Sequence, residues 1–235
     1  MFAIIDERIA RSSISALTDL GFEHILLPKA DYLSEGVAGH TDMLIFIGFG
    51  MLFCHKRYYN KNSALVDRIC ALSGNKLTLS NEPTGEKYPL DVLFNACAVG
   101  KRLICNEKTV SRLILNAARE EGYEIINVPQ GYTKCSVCVV SDNAIITADK
   151  AISSSCVSHG IDVLNISKGH VCLPPYDYGF IGGASGACGE MVFFCGSLDT
   201  HPDGKSIIEF CAKHKKTAVS LSDGEMQDVG SLFFV

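Results

Sequence analysis

A recurring order of elements constrains this chain more tightly than its composition does. Between residues 42 and 60, "DMLIFIGFGMLFCHKRYYN" reads as two apolar strands around Gly48-Phe49-Gly50. The helical "NSALVDRICALSG" follows, with Leu65, Ile69 and Leu72 on its inner face and Gly74 as its stop, and then a short strand, "KLTLS". The same order of strand, turn, strand, helix and strand returns in "DVLFNACAVGKRLICN", "SRLILNAAREEG" and "YEIINV", where Val110, Leu113, Ile114 and Ala117 form the buried stripe. It returns in "CSVCVVSDNAIITAD" with "IDVLNI", and again in "GGASGACGEMVFFCG", "KSIIEFCAKHK" and "TAVSL", where Ile207, Ile208 and Cys211 are expected to point inward.

These four units begin near Asp42, Asp91, Cys135 and Gly182, and one further step lands on Asp228, with spacings of 49, 44, 47 and 46 residues. At Asp228, "DVGSLFFV" supplies one strand, and the other end of the chain supplies "MFAIID", the helix "SSISALTDLG" and the strand "EHILLP". Chain ends ordinarily fray and carry polar residues, yet this one stops on Leu232, Phe233, Phe234 and Val235. The repeat explains why: the C-terminal strand is predicted to be buried against the N-terminal strand, closing a ring of five units with no open edge. The expectation is one α/β domain over residues 1–235, with five ββαβ units about a pseudo-fivefold axis and one unit assembled from residues 226–235 and 1–30. Two strands ahead of each helix argue against a doubly wound sheet, which alternates β and α.

Composition then removes several function classes. A chain of 235 residues, 47% hydrophobic and 20% charged, can bury a full core. Met1-Phe-Ala-Ile-Ile runs into Asp6, Glu7 and Arg8 without a leading positive charge, which argues against a secretory signal, and no apolar run approaches the roughly 18 residues of a membrane helix. A net charge of −5 gives no footprint for nucleic acid or for an anionic membrane. The eleven cysteines are odd in number and scattered through apolar runs, which suits reduced thiols in a cytoplasm better than a disulfide framework.

Five such units are the architecture of the pentein, or guanidine-group-modifying enzyme (GME), superfamily, which the chain resembles over its whole length. In "QGYTKCSVCVV", "GHTDM" and "FIGGASG" it looks like an uncharacterised bacterial GME-fold family. The resemblance implies a site where the first strands converge on a central channel. Members of the superfamily attack a guanidinium carbon with a cysteine thiolate, helped by a histidine, and hold the cation with carboxylates. Thiolate, imidazole and carboxylate suit those tasks as nucleophile, proton carrier and bidentate partner of a planar cation.

Carried onto this sequence, the channel positions are Asp42, Asp91, Cys135, Gly182 and Asp228. "GHTDM" matches the His-x-Asp pair of those enzymes, making His40 the proton shuttle with Asp42 on the same strand face; otherwise His40 caps a loop and Asp42 turns the chain. The enzymes carry their cysteine near the C-terminus, where "GEMQDVGSLFFV" has none. Ser231 is the nearest hydroxyl there and has no base beside it in sequence. Cys135 is the alternative nucleophile, next to Lys134, whose charge favours a thiolate if it comes close and which otherwise points away as the next residue of a strand.

Gly182 and Gly183 match neither a dinucleotide nor a P-loop motif and are expected to let the backbone approach the channel or a ligand. On a strand, Cys135 and Cys138 would point to opposite faces, so no metal is expected, and no cofactor either. Asp203 is expected to cap the helix after "THPDG", and "PPYDYG" at 174–179 to serve as a rigid connection or a lid. Two function classes remain. One is a binder of a small guanidine- or amidine-like cation in an acidic channel formed by Asp42, Asp91 and Asp228, with Cys135, His40 and Asp42 as catalytic residues if it is a hydrolase or amidinotransferase. The other is a non-catalytic pentein acting as a protein- or ribosome-binding module.

Overall fold

A computed structural model describes all residues, Met1–Val235. It contains five three-stranded sheets with one repeated plan, in which the middle strand runs antiparallel to the first and parallel to the third. One sheet comprises β3 (Ile45–Gly48), β4 (Met51–His55) and β5 (Lys76–Ser80), with α3 (Lys56–Ser73) crossing from β4 to β5. The next comprises β6 (Cys97–Val99), β7 (Arg102–Cys105) and β8 (Glu124–Asn127), with α4 (Arg112–Glu120). A third comprises β9 (Cys138–Ser141), β10 (Ala144–Thr147) and β11 (Asp162–Asn165), with α6 (Lys150–Ser158). A fourth comprises β12 (Ser185–Cys188), β13 (Met191–Phe194) and β14 (Thr217–Ser220), with α7 (Gly204–Lys213). The last joins the termini: β15 (Phe233–Phe234) pairs antiparallel with β1 (Phe2–Asp6), Ala3 opposite Phe234, and β1 runs parallel to β2 (Glu23–Leu27) after α1 (Arg11–Asp19). Two four-residue helices, α2 (Thr41–Leu44) and α5 (Thr133–Ser136), lead into β3 and β9.

The middle strands explain the apolar content. Side chains alternate across a strand, and here both faces are buried, each serving a different core. Ile4 packs with Ile45, Leu52 and Val66 of the following unit, while Ala3 and Ile5 pack with Phe193 and Leu221 of the unit built on β13. Phe53 faces Leu103 and Ile114; Ile104 faces Ile145 and Ile152; Ile146 faces Phe194 and Ile207. Each of the five clusters therefore lies between two consecutive units, including the last and the first. This is why these strands read as unbroken apolar runs rather than alternating ones.

Local signals set the helix ends. Ser111 accepts from the Leu113 amide, Asp149 accepts from Ala151 and Ile152, and α3 stops at Gly74 in the left-handed region. Several details differ from expectation. Ile208 and Leu72 are exposed, because α7 turns Ile207, Phe210 and Cys211 inward and α3 turns Val66 and Ile69 inward. Asp203 makes no side-chain cap; its carboxylate accepts instead from the Ser167 amide. Leu232 is buried, but Phe233, Phe234 and Val235 are only half-buried, since β15 lies at a sheet edge beside β12. The strands themselves begin three to six residues after the repeat starts inferred from the sequence. All eleven cysteines are unpaired, and no helix is long and apolar enough to cross a membrane.

Candidate functional site

The segments just before the first strands converge on one buried polar cluster. His40 precedes α2 and Asp42 lies within it, so the pair sits on a helical turn rather than on one face of a strand. Lys134 and Cys135 likewise sit on the single turn of α5, not on a strand, and this lets neighbouring residues both reach the cluster. Asp228 and Ser231 come from the segment leading into β15. Asn95 comes from the segment leading into β6.

Ser231 is central. It is fully buried and adopts φ +69°, a left-handed conformation uncommon for a residue with a side chain. The Lys134 ammonium donates to Ser231 Oγ at 2.9 Å. The hydroxyl donates to Asp42 Oδ2 at 2.6 Å, with the Gly182 carbonyl oxygen 2.9 Å away. The Cys135 thiol lies 3.3 Å from the same Asp42 oxygen and receives the Asn95 side-chain amide at 3.0 Å. Asn95 Oδ1 in turn accepts from the Lys134 and Cys135 amides at 2.7 and 3.2 Å, locking α5 in place. Asp228 accepts from the Phe180 and Gly230 amides at 2.9 and 3.0 Å, and its Oδ1 lies 3.7 Å from His40 Nδ1. His40 Nδ1 and Asp42 Oδ1 have no hydrogen-bond partner.

Burial dominates the electrostatics. It pushes the Asp42 carboxyl above the usual range, with the Asp228 charge adding to the effect, and pushes Asp228 up to about 6. It pushes the His40 imidazole down, so His40 is neutral at physiological pH. Burial, then the Asp42 and Asp228 charges, raise Cys135 well above an ordinary thiol. The charge of Lys134 does not produce a thiolate at Cys135, because the ammonium is turned to Ser231 while burial and the charges of Asp42 and Asp228 hold the proton on sulfur.

Gly182 and Gly183 serve close packing. A Cβ on Gly182 would lie 2.3 Å from the Lys134 carbonyl oxygen, and one on Gly183 would lie 2.0 Å from Asp228 Oδ1. Asp91 stands apart from the Asp42 and Asp228 pair: its carboxylate accepts from the Tyr132 hydroxyl, and burial raises its pKa. The residue that reaches the cluster from that unit is Asn95, two residues before β6, and counting back from the strand would have found it. Ser231 lacked a sequence neighbour to activate it, but Lys134 and Asp42 supply that neighbourhood in space. No group of three or more His, Cys, Asp or Glu side chains is arranged to hold a metal.

Two cavities approach the cluster. One, of about 240 Å³, is lined by residues of all five first strands, among them Phe46, Ala98, Val139, Gly186 and Phe233, with Lys134 as its charged member. The other, of about 200 Å³, is lined by Asp6, Arg8, His40 and Asp228, with Pro174 on its rim. Tyr176 of the 174–179 connection shares a hydrogen bond with Ser34 at 2.9 Å.

This arrangement of five units with a polar centre is the pentein fold, and solved structures share it. Dimethylarginine dimethylaminohydrolase from Pseudomonas aeruginosa, a cysteine-to-serine mutant complexed with citrulline, matches with a TM-score of 0.61 and 10% identity over 94% of this chain and 91% of that one. An amidinotransferase of saxitoxin biosynthesis from Microseira wollei matches with a TM-score of 0.56 and 10% identity, over 92% and 77%. The N-terminal domain of ArgZ, covalently bound to a reaction intermediate, matches with a TM-score of 0.54 and 10% identity, over 98% and 94%. At such identities the likeness is one of fold. The chain belongs to the family described as "Family of unknown function (DUF6873)", whose model matches residues 4–233. No curated protein matches it in sequence.

Proposed function

We propose that the chain is a single-domain, five-bladed α/β propeller whose central cluster binds a small guanidine- or amidine-like cation. Five cores, each shared by consecutive units, support the closed ring. The observation that carries the ligand is a charge imbalance at the 200 Å³ cavity. Asp6 is paired with Arg8, and Lys134 serves Ser231, whereas Asp228, though it accepts from two amides, has no cationic side chain paired with it, only a neutral imidazole. A planar cation entering there would pair with Asp228 and offer its N–H groups to the unpartnered His40 Nδ1. In this reading Asp42 and Asp228 are the acidic residues, Lys134 tunes them, Gly182 and Gly183 shape the floor, and Asp91 is an outlying member reached through Tyr132. Any covalent chemistry would require Cys135 to pass its proton to Asp42, the carboxylate its thiol already contacts.

Calorimetric titration with guanidinium and methylguanidine tests the binding. Affinity should fall about tenfold from pH 7.5 to pH 5, as Asp228 takes up a proton around pH 6, and should vanish in Asp228→Asn. Equal binding by the variant overturns the assignment. One observation favours a second reading, a non-catalytic binding module: the Cys135 thiol is held protonated. Alkylation rates against pH, read thiol by thiol by mass spectrometry, separate the two. A single fast thiol at Cys135 with an apparent pKa below ~8.5 supports catalysis, and a slow Cys135 supports the binding module.

A further inference from the structure

A cavity of about 650 Å³ lies between the units built on β10 and β13 and meets the cluster only at Phe180, whose amide serves Asp228. Its size is that of an ordinary small-molecule site. The side-chain carbonyl and carboxylate acceptors in its wall are already engaged. Asp149 accepts from the Ala151 and Ile152 amides at 2.8 and 3.0 Å and from Gln130 at 3.3 Å. Gln130 Oε1 accepts from the Tyr132 amide at 3.1 Å.

Donors, by contrast, are left over. The amides of Lys168, Gly169 and His170 donate to no acceptor in the chain, and Gly169 holds φ +93°, which turns the loop back on itself. The next amide upstream, Ser167, is taken by Asp203. His201 is buried, and its Nδ1 accepts from the Asp203 amide at 3.0 Å, so its ring proton is on Nε2, turned toward the Ser167 backbone. The Lys150 and Lys168 side chains complete the donor set. The opposite wall is aromatic: Tyr178 and Phe180 meet edge to face at 6.2 Å, with Tyr178 partly exposed.

Unbonded loop amides and two lysines beside the exposed Tyr178 ring fit an acceptor-rich anion joined to a planar ring. We propose that this cavity is a binding site for a small aromatic or heterocyclic phosphate monoester, with the phosphate on the 168–170 loop and Lys150, and the ring against Tyr178 and Phe180. The cavity is not lined by His40 or Asp228, the side chains proposed to hold the cation, so either proposal can fail alone.

The test is calorimetry on the full chain with adenosine 5′-monophosphate as the probe, and inorganic phosphate and adenosine as controls. The nucleotide should bind at least tenfold more tightly than either control. The double variant Lys150→Glu, Lys168→Glu should lose at least tenfold in affinity, and its melting temperature without ligand should be unchanged because both side chains are exposed. Tyr178→Ala should weaken the nucleotide and leave inorganic phosphate unaffected. No heat from the nucleotide at millimolar concentration, or equal affinity in the double variant, overturns the site. Inorganic phosphate binding as tightly as the nucleotide overturns the aromatic half of the assignment.

Discussion

The unit of β3, β4 and β5 and the unit shared by the two termini have the same plan and are held together differently. In the first, the opening strand is four residues long and is tied to its neighbour by the tight turn from Gly48 to Met51. In the second, the opening strand is two residues long and has no covalent link to β1. It is held by reciprocal bonds between Phe2 and Val235 at 2.8 and 3.0 Å, and by Phe234 packed on Phe22 and Phe193, each at 5.2 Å between ring centroids. The segment leading into it bonds to other units: Asp228 to Cys172, Ser231 to Gly183, Leu232 to Ser185, and Gly230 to Asp42. The shortest opening strand is therefore the one whose leading segment brings Asp228 and Ser231 to the cluster, and its position depends on the remaining units being in place.

Removing residues 230–235 should break this comparison most decisively. Full burial of a large apolar side chain contributes ~1.5–3 kcal/mol, so buried Leu232 with half-buried Phe233 and Phe234 amounts to about 4 kcal/mol. That approaches the whole stability of a marginal domain, roughly 5–15 kcal/mol. Loss of a cooperative thermal transition by circular dichroism is the expected result. A truncated chain that melts cooperatively near the full-length temperature would show that the seam is dispensable.

The next largest effect is a pH dependence at Asp228. Its carboxyl is raised to about 6 from 3.8, so the folded state holds the proton more tightly than the unfolded chain does. Stability from this group is complete below pH 3.8 and is lost as pH rises through about 6, a difference of about 3 kcal/mol. Urea melts from pH 4 to pH 7 should show the natural chain losing about that much relative to Asp228→Asn, the comparison including the relief of Asp42, which the Asp228 charge helps to raise. Parallel curves for the two proteins would mean that the carboxylate is solvated. Ser231→Ala should follow at ~1–3 kcal/mol, because it leaves the Lys134 ammonium and an Asp42 oxygen without their shared partner. Denaturant midpoints at pH 7 would measure it.

The repeat was legible because every middle strand is apolar on both faces and every unit carries its own turn and helix. The site was legible only as positions along that repeat. Asp42, Cys135 and Asp228 were named because they stand at unit starts, and Lys134 because it precedes Cys135. Asn95 was passed over because the lead from Asp91 to β6 is longer than in the other units. The contact of Lys134 with Ser231 joins residues 97 apart in sequence, and no local pattern encodes it. Four-residue helices such as α2 and α5 are too short to leave a periodic signature, which is why His40, Asp42, Lys134 and Cys135 read as strand residues.

The smallest effect sharpens the comparison most finely, because a glycine in each of the two units has nearly the same positive φ. Gly50 turns the hairpin at φ +70°, and a Cβ there would meet nothing within 4 Å. Gly50→Ala should therefore cost only the conformational penalty, about 1 kcal/mol. Gly230, at φ +72°, faces the site, and its Cβ would lie 2.2 Å from that of His40. The same substitution there must pay the same backbone penalty and also displace His40 or the amide that serves Asp228. Equal melting temperatures for the two alanine variants would mean that the seam has room to shift and that His40 is not fixed against it. A larger loss at Gly230, with a change in the Asp228 titration, would mean that the terminal segment sets the geometry of the site.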